Sequence, residues 1–499
     1  MPITKSFLTA AALCLAAAQG AGAQPAKAPP TAAPAAKPAA KPAAEAPPAK
    51  AAEAQPAKAA TSPQGSAQIA VERYTLDNGL RVVLNPDRTV PTVAVAMYYD
   101  VGSRNEMRGR SGFAHLFEHM MFQGSANVGK GEHFKLVMNR GGSVNGTTSN
   151  DRTNYYQTLP SNELALGMWL EADRARSLEI TQANFENQRQ TVMEERRQSI
   201  DNRPYMQSML RINELTYGDY FPYAHSTIGD MQDLIKAPLS AVQEFFHTYY
   251  APNNAVLSIA GDFEPAEALA MAQKYFGDLP KRTVPAFDPP ALLPQTAERT
   301  ETMLDPLAEL PAFHIAYHIP PDRSEDHYPL ELLAIVLGDG ESSRLYQELI
   351  KDKEILQDID VSTDGRRGPD LFSVWGICAR GHKGAEARKV FYSHLEKIAK
   401  VGVTQRELQK AKNRVRSAFV FGLESNLARA KQLAQYEMYF GDARLLRDEA
   451  SRYLKVENDD IKRVAKKYFA PTNRTVLDVE PAKTDKPAED EKPGKGGKK

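Results

Sequence analysis

From Ile69 onward the apolar positions fall into two periods, and each change of period marks a new element. Tyr74 to Leu76 and Leu80 to Leu84 flank Asp77-Asn-Gly79, a turn whose Asn-Gly pair suits positive backbone dihedrals, so this stretch predicts a hairpin. Thr92 to Val101 reads as a third strand. Ser111-Gly-Phe-Ala-His-Leu-Phe-Glu-His-Met-Met-Phe122 then predicts a buried helix, and a second helix covers Glu132 to Asn139. Residues 141–148 and 153–158 read as a polar strand pair containing glycine. Ser161 is expected to cap a helix running to about Arg176, and a further helix runs from near Asn184 to Ser199. Helices and strands alternate through Leu257–Gly261 to a helix ending near Phe276.

The second half repeats the first. Tyr249-Tyr-Ala-Pro-Asn-Asn-Ala-Val-Leu257 is echoed by Lys467-Tyr-Phe-Ala-Pro-Thr-Asn-Arg-Thr-Val-Leu477, each after a helix and each opening a strand. Such self-similarity predicts duplicated domains of α+β class, over residues 69–283 and 297–481, joined by a proline-rich linker at 284–296. Where the second copy should carry the counterpart of the 111–122 helix stands Leu332-Leu-Ala-Ile-Val-Leu-Gly338, with no His or Glu. One copy is equipped for chemistry and the other is not.

Composition adds limits. A chain of 499 residues exceeds one hydrophobic core. Its 62 basic and 62 acidic residues give no electrostatic case for nucleic acid or for an anionic membrane surface. Residues 1–23 read as a cleaved signal peptide: Lys5 is basic, Phe7 to Ala18 apolar, and Ala21-Gly-Ala23 small. That apolar run is shorter than the roughly 20 residues a membrane span needs, so stable insertion is not expected. Export leaves Cys378 alone in the mature chain, without an internal disulfide, and the periplasm is the expected compartment, with secretion the alternative. Residues 24–68, rich in Ala, Pro and Lys, read as an extended spacer, and 482–499 as a polar tail without a core.

The chemistry lies in the 111–122 helix. At roughly 100° per residue, His115, Glu118 and His119 share one narrow arc. Two imidazoles one turn apart can hold a metal ion, with a carboxylate beside it to act on water. The order H-x-x-E-H inverts the commoner H-E-x-x-H. A tetrahedral zinc needs a third protein ligand. The acidic candidates are Glu186, Glu194 and Glu195, on a helix whose buried stripe runs through Phe185, Val192 and Ile200. Glu195 lies roughly 60° from Val192 and Glu194 about 160°, so Glu195 is expected at the pocket and Glu194 in water. Cys378 reads as a small core residue, His225 as a structural residue of its turn, and His314 and His318 as neighbours on one strand face.

His115-Leu-Phe-Glu-His119 with Val192-Met-Glu-Glu195 resembles the pitrilysin and mitochondrial-processing-peptidase family of inverted-motif zinc peptidases. Gly142 to Tyr156, Pro222 to Gly229, Tyr250 to Asn254 and Ser342-Ser-Arg-Leu-Tyr346 also match family patterns, so the resemblance spans about residues 70 to 480. It implies one zinc per chain on His115, His119 and Glu195, with Glu118 as general base. It implies substrate contacts from Asn145 and Gly146 and an anchoring role for Arg344. It further implies two metallohydrolase-type domains forming half of a clamshell, pairing with a like or related chain as a homodimer or heterodimer to enclose extended peptides. Two positions depart from the pattern: Gln188 stands where a Glu often assists the site, and Gln357 where a Tyr often helps hold substrate. A zinc-dependent endopeptidase is the expected function. The alternative is a non-catalytic or partner-dependent subunit of a heteromeric processing complex, and a non-proteolytic zinc hydrolase is a weaker third.

Overall fold

The computed structural model describes residues 69–482, so the expected signal peptide, the spacer and the tail beyond Ala482 lie outside the described residues. Among the described residues, no helix is long and apolar enough to cross a membrane.

Among the described residues, eleven strands form two sheets. The first half supplies β1 (Glu72–Thr75), β2 (Arg81–Pro86), β3 (Thr92–Tyr99), β4 (Ser143–Thr148), β5 (Thr153–Pro160) and β6 (Ala255–Gly261). The second supplies β7 (Arg299–Asp305), β8 (Ala312–Ile319), β9 (Leu356–Thr363), β10 (Asp370–Cys378) and β11 (Arg474–Pro481). The orders are β1-β2-β6-β3-β5-β4 and β7-β11-β8-β10-β9. Without β1 the two coincide strand for strand, each with one parallel pair (β2 with β6, β7 with β11) in an otherwise antiparallel sheet. The predicted hairpin joins β1 to β2, with Gly79 at a φ of 87° closing its turn.

The duplication extends to single hydrogen bonds. Asn254 Nδ2 donates to Tyr249 O at 2.9 Å and to Asp100 O at 3.3 Å. Asn473 Nδ2 donates to Tyr468 O at 2.8 Å and to His318 O at 2.9 Å. Each asparagine pins the end of a helix to the neighbouring strand, which explains why the Ala-Pro-x-Asn segment occurs twice.

Helices of the first half are α1 (Phe113–Met120), α2 (Glu132–Met138), α3 (Leu164–Ser177), α4 (Gln182–Arg196), α5 (Met206–Tyr217), α6 (Phe221–Ala224), α7 (Met231–Lys236), α8 (Leu239–Tyr249) and α9 (Pro265–Phe276). Those of the second are α10 (His327–Gly338), α11 (Gly384–Val401), α12 (Gln405–Phe421), α13 (Asn426–Phe440), α14 (Glu449–Lys455) and α15 (Asn458–Tyr468). The first sheet buries one face, with Val95, Met97 and Tyr99, under helices of its own half. Its other face, with Ala94, Ala96, Val256 and Ala260, is covered by Ala430, Leu433 and Ala434 of α13. In return, Ile212 and Tyr217 of α5 cover Ala312, Ala316 and Leu477 of the second sheet. The 284–296 segment is a linker in sequence and carries no regular structure, but it is not a packing boundary: each half lends a helix to the other's sheet. The small alanines on these faces allow close approach, so the swap depends on residues whose pattern alone names no partner.

Two local expectations need correction. Ser161 opens a short 3-10 turn at Ser161–Glu163 and makes no capping bond; α3 begins at Leu164. The second-half counterpart of α1, which follows β8 as α1 follows β3, begins at His327 and includes Glu331. The stretch Leu332–Gly338 does lack His and Glu, but the whole helix does not.

Candidate metal centre

Helix α1 begins in an unusual way. Its N-cap, Gly112, takes a φ of 85° and makes no side-chain cap. The first-turn amides are instead met from outside: Glu106 accepts from Gly112 N and from Ala114 N, both at 2.8 Å. A carboxylate there satisfies orphan N–H groups and matches the positive end of the helix dipole. Glu106 is buried, which pushes its carboxyl up, and His225 opposes this with a 2.9 Å contact from Nε2. His225 also stacks on Phe221 at 4.0 Å, the structural role its turn suggested. A Cβ on Gly112 would lie 2.6 Å from Ile228 O, so the close packing admits only glycine. Sequence reasoning missed Glu106, because the loop from Glu106 to Gly112 has no periodic signature.

So anchored, α1 directs His115, Glu118 and His119 toward α4, where Thr181 caps the first turn by accepting from Asn184 N. Glu195 Oε2 is 3.3 Å from His119 Nε2 and 3.7 Å from His115 Nε2. Among the described residues this trio is the one group of three whose ligand atoms all lie within 4.8 Å of one another. Ligand atoms about 2.1 Å from a tetrahedral zinc stand about 3.4 Å apart, and the two distances from Glu195 are close to that value. Glu194 is exposed and bonds Gln198 and Arg197, as the helical arithmetic required.

Electrostatics differ between the two imidazoles. Burial and the adjacent His119 pull His115 down to about 4, against Glu195, so His115 stays neutral with its lone pair free. Burial also lowers His119, but bonds and charges from Glu195 and Glu118 outweigh it and the net shift is upward. His119 Nδ1 lies 3.3 Å from Gln188 Oε1. With Nδ1 donating there, loss of the other ring proton leaves Nε2, on the Glu195 side, as the nitrogen with a lone pair for a metal. His115 Nδ1 is buried without a partner. Gln188 thus orients one imidazole, from the position where the family pattern often has Glu.

Glu118 is buried, which raises its carboxyl against the pull of His119 and a bond from Thr148. Thr148 Oγ1 donates to Glu118 Oε2 at 2.6 Å. Thr148 lies on β4, the unpaired edge of the first sheet. On the same face, a Cβ at Gly146 would come within 3.1 Å of Glu118 Cγ and 3.2 Å of Oε1. Gly146 therefore leaves the space Glu118 occupies. Asn145, one residue earlier, points to the opposite face and accepts from Gly146 N at 2.8 Å. The role of Thr148 was not foreseen, since a threonine in a polar strand carries no distinguishing pattern.

The third expected substrate residue, Arg344, and the departing position Gln357 belong to the second half. Arg344 gives its fork to Glu407 at 2.7 and 2.8 Å, so it anchors another group only if Glu407 releases it. Gln357 is exposed on β9, the edge of the second sheet. His314 and His318 share a face of β8 and bond Ser208 Oγ and Thr216 O, while Cys378 is a buried free thiol.

Comparison with known proteins gives a consistent picture. Residues 81–219 match the insulinase (peptidase family M16) domain, and residues 236–415 match the peptidase M16 inactive domain. The zinc protease PqqE of Helicobacter pylori is 32% identical over 416 residues, covering 82% of this chain and 93% of that protein. The crystal structure of a protease from Helicobacter pylori superposes with a TM-score of 0.79 at 31% identity, over 83% of this chain and all of that one. The beta subunit of mitochondrial-processing peptidase from Lentinula edodes is 22% identical over 412 residues, covering 80% of this chain and 87% of that protein.

Proposed function

Taking as premise that the chain belongs to the M16 peptidase family, with a second half of the M16 inactive-domain type, we propose that it is a zinc-dependent endopeptidase acting on extended peptides. The observation that carries this reading is the convergence of His115, His119 and Glu195 beside the buried carboxylate of Glu118. His115 and His119 would hold zinc through Nε2 and Glu195 through a carboxylate oxygen. The ion supplies Lewis-acid polarisation of the scissile carbonyl and makes an adjacent water acidic near neutral pH.

The chain's own residues do the rest. Glu118 accepts the proton of the attacking water and passes it to the leaving amine. Burial raises its proton affinity toward the range such a shuttle needs, and the Thr148 hydroxyl fixes one of its oxygens. Gln188 holds His119 in the tautomer a ligand requires. An extended peptide adding to the open edge of β4 would gain main-chain hydrogen bonds regardless of its side chains, and Gly146 lets its backbone approach Glu118. Asn145 belongs to the same strand and would contact the peptide from the other face.

The intact trio favours an enzyme over a non-catalytic subunit, and the relative named as a processing-peptidase subunit favours pairing with a second chain. Domain limits at 69–283 and 297–481 and a periplasmic location after export complete the reading. Its test is cleavage of an unstructured peptide by the purified protein, lost with a chelator and restored by zinc, with one zinc bound per chain. A protein that binds no stoichiometric zinc and cuts no such peptide would rule it out.

A further inference from the structure

The face of β4 turned away from Glu118 has a different chemistry. Ser143, Asn145 and Thr147 stand opposite Thr158, Tyr156 and Asn154 of β5, and this face is the one α13 covers. Lys431, on α13, sits with Nζ 4.4 Å from the centre of the Tyr156 ring. Arg152 donates through Nη1 to Thr147 O at 2.8 Å, to Thr147 Oγ1 at 2.7 Å and to Asn154 Oδ1 at 3.2 Å. Its guanidinium lies 5.7 Å from the Tyr98 ring. Lys431 meets an aromatic ring, Arg152 an aromatic ring and neutral oxygens, and neither forms an ion pair with a carboxylate among the described residues. Burial, followed by repulsion from Arg152, brings the Lys431 ammonium down to about 8. The Glu118 carboxylate feels the Arg152 charge from beyond contact distance, but two like charges without an ion-pair partner next to an open strand edge are still costly, and an anion there would relieve the cost.

We propose that Lys431, with Arg152, forms a subsite that selects a carboxylate on the substrate residue whose side chain faces α13. The proposal rests on the reading of β4 as the peptide-binding edge. Side chains of an added strand alternate between faces, so residues beside Gly146 point toward Glu118 and their neighbours point toward α13. The added backbone lies about 5 Å beyond β4, and β5, which carries Tyr156, about 5 Å inside it. A Glu side chain reaching inward and the long Lys431 stem turning outward close that gap. The selecting residue comes from the second half of the chain. The α13 exchange therefore gives the inactive half a part in specificity without a metal of its own.

The test uses full-length protein carrying Glu118→Gln and loaded with zinc, so that binding is read without turnover. A fluorescent, unstructured Gln-rich peptide is scanned with single Glu substitutions, and its affinity is followed by anisotropy. Glu at alternate positions should tighten binding about tenfold, a gain typical of a charge-assisted bond. Lys431→Met should abolish the gain, and Lys431→Glu should turn the preference toward Lys at the same positions. Amidating the peptide's C-terminus distinguishes a side-chain carboxylate from a terminal one: the gain persists for the former and disappears for the latter. Equal affinity of Glu and Gln peptides, or an unchanged preference in Lys431→Glu, would overturn the subsite. Cleavage of the all-Gln peptide by the unsubstituted protein reports separately on the peptidase reading.

Discussion

The Thr148 hydroxyl donates to Glu118 Oε2 across 2.6 Å, joining the edge strand to the metal helix through one short bond. In the proposed mechanism this bond would couple peptide docking on β4 to the proton shuttle on α1. Thr148→Val should lower kcat about tenfold by freeing the carboxylate, whereas Thr148→Ser should retain most activity. Steady-state kinetics on one peptide tests this, and equal rates for the Val and Ser variants would contradict the coupling.

Glu118→Gln keeps the side chain's size but removes the carboxylate proposed as the base. Turnover should fall by at least about a hundredfold, with zinc content unchanged by elemental analysis. Glu195→Ala should do the reverse in order, losing the metal first and activity as a consequence.

Gln188 is expected to act on affinity for the proposed zinc through His119. Replacing it with Ala leaves His119 Nδ1 without its acceptor at 3.3 Å, and zinc affinity should drop about tenfold in chelator competition. Gln188→Glu, which supplies a stronger acceptor, should tighten zinc binding relative to the natural residue.

A methyl group at position 146 would press on Glu118 within 3.2 Å of its carboxylate oxygen. Gly146→Ala should cost about 10- to 100-fold in kcat/KM through misplacement of the base, while thermal stability changes little. A large loss of stability with normal kinetics would show that the glycine serves the fold instead.

The pH prediction comes from the second half. His327 Nε2 lies 3.2 Å from Glu331 Oε2 and 3.3 Å from Asp322 Oδ1. Burial alone would lower this imidazole, but the Glu331 bond and the charges of Glu331 and Asp322 outweigh it and lift the pKa to about 9. The folded value exceeds the unfolded one, so the stabilisation is fully present below about pH 6.5 and is lost as pH rises through about 9. Thermal denaturation should show a falling Tm across that window, and Glu331→Gln should flatten the fall.

Severing the chain at 284–296 should not yield two independent domains. The fragment 69–283 would expose Ala94, Ala96, Val256 and Ala260, which α13 covers in the intact protein. Expressed alone it should aggregate, and co-expression with the complementary fragment should restore solubility. A monomeric, cooperatively folding 69–283 fragment would refute this.

The sequence by itself determined whatever depends on neighbours along the chain. The spacing of His115, Glu118 and His119 follows from helical period, and the same period separated Glu195 from Glu194. The repeated Ala-Pro-x-Asn segment announced the duplicated sheet, because each copy makes the same local bonds. Tertiary structure alone decided what depends on distant partners. Glu106 caps α1 through space, Thr148 reaches Glu118 from another element, and α5 and α13 cross to the opposite sheet. These contacts leave no period in the chain, because only packing brings their residues together and many polar or small residues could stand at each place.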